Sequence, residues 1–117
     1  MTEYETMVNA LKATGLPFAE DGWDEKPAPP YGVYAIDGGA GALWAGDHRQ
    51  EHASQGTVDL YTPTGKGRIK KSVIENALDE AGVSYYYNSE QYERDTRLMH
   101  YEWVFTVDDG DADDGED

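Results

Sequence analysis

Two stretches of the chain hold residue types that do chemistry elsewhere. His48-Arg49-Gln50-Glu51-His52 spells His-x-x-Glu-His, the order of an inverted zinc-peptidase motif. That chemistry needs both imidazoles on one face of a rigid helix and a third ligand from another element. Here Gly46 and Gly56 bracket the segment, no apolar face accompanies it, and the remaining histidine, His100, lies far along the chain. The segment therefore reads as a polar hairpin piece, with no metal expected. Gly65-Lys66 resembles the end of a phosphate loop, but the leading glycine that motif requires is replaced by Leu60.

Lys66, Arg68, Lys70 and Lys71 place four of the nine bases within six residues. They suit a nucleic-acid or acidic-partner patch, or the solvated first turn of a helix. Positive charge at a helix start opposes the helix dipole, which favours a role at an interface. The acid pairs Glu20-Asp21 and Asp24-Glu25 lack a neighbouring base or apolar pocket, and no serine–histidine spacing suggests a nucleophile. Neither catalysis nor a cofactor is expected.

The elements that must position these residues are legible. Thr2 and Glu5 form a Thr-x-x-Glu capping box, and Tyr4, Met7, Val8 and Leu11 share one helical face. This predicts a helix over about 2–14. Leu16 to Ala19 is a connector or short strand, and the proline-rich stretch Glu20 to Pro30 is a loop. Tyr31 to Ile36 reads as a strand. Asp37 to Gly46 holds four glycines and reads as a mobile hairpin arm or long turn, in which Trp44 is a candidate anchor for a partner.

Thr57 to Thr62 alternates as a strand, and Ile69, Val73, Ile74, Ala77, Leu78 and Ala81 make an amphipathic helix over about 68–81, closed by Gly82. Val83 to Tyr87 is strand-like, with tyrosines on both faces, which suggests a sheet whose second face is also covered. Asn88 to Arg97 reads as polar and turn-like, with at most a short strand near Tyr92. Met99, Tyr101, Trp103, Phe105 and Val107 line one side of the last strand, opposed by Leu98, His100, Glu102, Val104 and Thr106. The expected fold is α+β, with a mostly antiparallel sheet of four to five strands covered on one face by both helices. Residues 1–107 form one domain; 108–117 form an acidic tail expected to be disordered.

Composition bounds the function. The chain has 117 residues, no cysteine and a net charge of −15. Disulfides, thiolate metal sites and a cysteine nucleophile are excluded. No apolar run approaches the ~18 residues of a membrane helix, and no secretory signal is legible, so an intracellular origin is expected. Removing the seven acids of residues 108–117 leaves −8, so the body too is acidic. It should repel nucleic acid unless its bases cluster. A salt-adapted host is another explanation of the charge.

Taken in order, the motifs resemble the tail-terminator (tail-completion) proteins of long-tailed bacteriophages. Pro29-Pro30-Tyr31-Gly32-Val33-Tyr34 is similar to their first strand, and Val58-Asp59-Leu60-Tyr61-Thr62 to their second. Ile74-Glu75 with Leu78 resembles the helix that follows, and Tyr101-Glu102 the final strand. Ala45-Gly46-Asp47-His48 matches the family's inter-strand motif only approximately. The resemblance implies a non-enzymatic virion protein, a homo-oligomeric ring expected as a hexamer. Such a ring caps the tail tube protein, docks on the head–tail connector and lets DNA through its lumen without sequence-specific binding. Candidate subunit or partner contacts are Trp44, Asp47 and Arg49, together with Lys66, Arg68, Lys70 and Lys71. A head-completion (stopper) protein is the neighbouring possibility, and a small acidic DNA-mimic inhibitor is an alternative of another class.

Overall fold

A computed structural model describes residues 1–39, 44–45, 48–49 and 53–108, with the backbone alone at 38, 39, 44, 45, 48, 49, 68 and 69. Helix α1 (Glu3–Ala13) starts on the capping box: the Glu5 N–H donates to Thr2 Oγ1 at 3.0 Å, and the Thr2 N–H donates to Glu5 Oε1 at 2.9 Å. Met7 and Leu11, one turn apart, are fully buried. Helix α2 (Gly67–Ala81) ends at Gly82, whose φ of +77° suits a residue without a Cβ.

Five strands form one sheet in the order β1-β2-β5-β7-β6. These are β1 (Phe18–Glu20), β2 (Tyr31–Gly39), β5 (Ala53–Pro63), β6 (Ser84–Glu93) and β7 (Leu98–Asp108). All pairings are antiparallel except β1 with β2. The expected α+β class and mostly antiparallel sheet are therefore present. Strands β3 (Trp44–Ala45) and β4 (His48–Arg49) pair as a small separate hairpin.

The inner face explains why both helices lie on it. Val58 faces Trp103 across β5 and β7, Leu60 faces Tyr101, and Gly56 faces Phe105. Met7 and Leu11 of α1 and Ile74, Ala77 and Leu78 of α2 complete one cluster over this row. Tyr101, Trp103, Phe105 and Val107 are buried as the alternation predicts, while Met99 is half-buried at the margin.

Three readings are sharpened. Of the two alternatives for Leu16 to Ala19, a strand forms from Phe18, and it runs parallel to β2. Phe18 stands opposite Gly32, where a Cβ would come within 2.2 Å of its ring, so the missing side chain admits the phenyl group. Asn88 to Arg97 is not mainly a turn. Strand β6 continues to Glu93 through a bulge at Tyr87/Ser89, and only 94–97 turn, closed by the Arg97 N–H on Glu93 O at 2.7 Å. An edge strand is held by pairing on one side and accepts polar side chains facing solvent, so polarity misleads there. Third, β2 runs on through Gly39, opposite Ser54, so the base of the glycine-rich arm is paired strand. The rest of the expected arm, and the acidic tail beyond Asp108, lie outside the described residues. Asp108 itself ends β7, and its N–H donates to Glu3 Oε1 at 2.9 Å.

Candidate functional site

The candidate contact residues fall into two groups. Trp44 lies on β3 and Arg49 opposite it on β4; Asp47 lies outside the described residues. His48 is on β4, not on a helix, so the zinc-peptidase geometry is not met there. Glu51 and His52 lie outside the described residues. Lys66 is the N-cap of α2, and Arg68, Lys70 and Lys71 follow in its first turns. Lys66, Lys70 and Lys71 line one cleft with Gly65, Gly67, Glu90 and Tyr101. Lys71 also sets its ammonium 3.8 Å from the centre of the Tyr87 ring, a cation–π contact.

A further cluster, invisible in the linear sequence, occupies the outer face of the sheet. Tyr31, Tyr61 and His100 are direct cross-strand neighbours on β2, β5 and β7. Their rings stack in a row, with centroids 5.1 Å apart for Tyr31–Tyr61 and 4.4 Å for Tyr61–His100. Trp23, from the loop before β2, meets Tyr31 edge-on at 6.5 Å and donates its indole N–H to Gly32 O at 3.0 Å. Burial, reinforced by the Asp59 and Glu93 charges, pushes the Tyr61 phenol up to about 12.

At the end of the row, His100 Nε2 lies 2.6 Å from Asp59 Oδ1 and its Nδ1 3.1 Å from Glu93 Oε2. Carboxylates only accept, so both contacts are hydrogen bonds when both ring nitrogens carry protons. Asp59 also accepts from the Thr57 hydroxyl at 3.0 Å and stands directly opposite Glu102. Glu102 in turn accepts from Asn88 Nδ2 at 2.8 Å. Acids facing each other across a pair of strands repel, and an imidazolium beside them offsets that. The Asp59 hydrogen bond is the main cause that raises the His100 pKa above its ordinary value; burial opposes it, and the Asp59 and Glu93 charges add to it. A histidine held protonated has no lone pair with which to act as a base, so the arrangement suits binding and cross-strand locking.

The sign of the pH dependence follows. A raised folded-state pKa stabilises the fold fully below the unfolded value of about 6.5 and loses that contribution as pH rises through the folded value. His100 is therefore expected to titrate above the ordinary range in an NMR titration of its ring protons. The melting temperature of the wild type should fall more from pH 6 to pH 9 than that of His100→Gln. A His100 that titrates at or below the ordinary value would remove the imidazolium from this account.

Sequence reasoning placed His100 and Glu102 on the outer side of β7 but missed the row. Its members are 30 and 39 residues apart, and only the register joins them. The alternation of β2 and β5 puts Tyr31 and Tyr61 opposite the core-facing positions, and that was the one available signal. No protein-family model matches the chain, and no curated protein matches it.

Proposed function

We propose that the chain is a ring-forming structural subunit of the phage tail-terminator kind, capping a tail tube at its junction with the head. The observation that carries this reading is the outer sheet face. Both helices pack on the other side; on this face the Trp23 loop buries Tyr31, Tyr61 and His100 are half-buried at the end of the row, and Tyr86 is 55% exposed. In a chain of net charge −15, aromatic residues left partly open on a sheet face that no helix covers favour a second protein surface over bulk water. The β3–β4 pair, inserted in the chain between β2 and β5 and outside the main sheet, would be a contact for a neighbouring copy or the tube end. The motif order Tyr31-Gly32-Val33-Tyr34, then Asp59-Leu60-Tyr61-Thr62, then the α2 stripe, supports the same assignment.

The test is assembly. Wild-type protein mixed with its tube protein is expected to form closed rings by mass photometry and to cap tubes in electron micrographs. Tyr86→Asp changes an exposed edge-strand side chain, so its circular dichroism should match the wild type. An anchor lost from one interface weakens it by about 2 kcal/mol, and a closed ring repeats that loss at every contact, so the variant should remain a monomer. A wild type that stays monomeric with both tube and connector present would overturn the proposal, and tight monomeric binding to a DNA-binding protein would favour the mimic instead.

A further inference from the structure

We propose that the cleft at the start of α2 is a binding site for a phosphate group. The inference does not depend on the ring assignment. Three observations converge on it.

The first is the helix terminus. The leading N–H groups of a helix have no partner within the helix and carry the positive end of its dipole. In α2 the N-cap residue Lys66 makes no side-chain capping bond, and the first turn contains no acid. The second is charge. Lys66, Lys70 and Lys71 gather positive charge at the positive end of the dipole, where like charges repel, in a chain with nine bases against 24 acids. The three lysines converge on the cleft, where Glu90 is the one acid among the described residues. Glu90 is already engaged as acceptor from the Tyr87 hydroxyl. A bound anion removes the repulsion that the empty arrangement carries.

The third observation is Tyr101. This residue is only 7% exposed, and it lines the cleft. Its hydroxyl makes no hydrogen bond among the described residues. The phenol oxygen stands 1.8 Å from where a Cβ of Gly67 would be, so glycine at the first helical position lets it approach the helix start. The ring is buried while its hydroxyl opens on the cleft and has no protein partner among the described residues, so an anion oxygen at the α2 terminus would give it an acceptor. The donors are then the leading α2 amides, the Tyr101 hydroxyl and the lysine ammonium groups. That set suits a tetrahedral oxyanion with several acceptor oxygens better than a single carboxylate. The cleft, about 850 Å³ and open to solvent, has room for the organic part of a phosphate ester.

The isolated full-length subunit is sufficient for the test. Titration with sodium phosphate, followed by amide NMR, is expected to move Gly67, Arg68 and Ile69 saturably, with no such response in sodium chloride of equal ionic strength. Tyr101→Phe keeps the ring and removes the donor. Loss of one hydrogen bond to a charged group corresponds to about tenfold weaker binding. Lys70→Gln, at a half-exposed position, is expected to weaken binding several-fold and keeps the test open should Tyr101→Phe fail to fold. A nucleoside monophosphate and a short DNA duplex separate the sources. Tighter binding of the nucleotide assigns the site to a free phosphate ester, and tighter binding of the duplex assigns it to a DNA backbone; either supports a phosphate site. Phosphate shifts no larger than those of chloride would overturn the proposal, as would binding unchanged in both variants.

Discussion

Trp103→Ala is expected to destabilise the protein by about 3–5 kcal/mol, the range for a buried aromatic removed from a core. Trp103 is fully buried at the middle of β7, with the Tyr87 ring centroid 5.6 Å away and that of Tyr101 at 6.5 Å. Its indole N–H donates to Glu75 Oε2 at 2.9 Å, tying α2 to the sheet. The truncation therefore opens a cavity between the helices and β7 and removes the donor that holds Glu75. Domains of this size have about 5–15 kcal/mol in total, so the variant should be largely unfolded well below the wild-type melting temperature. Trp103→Phe fills much of the cavity and should lose clearly less. Urea unfolding followed by circular dichroism measures both. A Trp103→Ala midpoint equal to that of the wild type would mean that the helices do not cover this face of β7.

Gly56→Ala is the second large effect, although it adds only one methyl group. Gly56 sits in β5, opposite Ile36 of β2 on one side and Phe105 of β7 on the other. A Cβ there would stand 2.0 Å from the Ala35 carbonyl oxygen and 2.7 Å from Phe105 Cζ. The first obstacle is backbone and the second is a fully buried ring, so neither yields without moving a strand. Overpacking of this kind costs about 1–3 kcal/mol, occasionally more. The displaced strand would be β2, next to its bulge at Ile36/Gly38. The expected result is a fall in melting temperature, with amide exchange accelerated first in β2 and the facing half of β5. Melting and exchange like those of the wild type would show that β2 can shift at its bulge with little loss.

Residues 54–58 show how the alternation pattern reaches its limit. Thr57-Val58-Asp59-Leu60 announces a strand by period two, and the core face follows from it. Gly56 carries no side chain to join that pattern, and in the sequence it reads only as the boundary of the histidine segment. That a side chain there would strike both neighbouring strands depends on what stands opposite, and that is a property of the pairing.

The features legible along the chain are those that short-range chemistry controls. The Thr2–Glu5 cap, the αL glycine at 82, the apolar stripe of α2 and the two-residue period of β7 each involve residues a few positions apart. Each of their consequences is present: two helices with near-expected limits and a sheet face that buries Tyr101, Trp103, Phe105 and Val107. The basic cluster at the start of α2 was legible for the same reason. The assembled fold governs whatever depends on which strand lies beside which. It made β1 parallel to β2, extended polar β6 by pairing it with β7, and brought Tyr31, Tyr61 and His100 into one stacked row. It likewise set His100 between Asp59 and Glu93 and placed the Tyr101 hydroxyl against Gly67. A cross-strand neighbour is selected by register, and register is set by burying the whole inner face at once. No local pattern around residue 31, 61 or 100 contains that information.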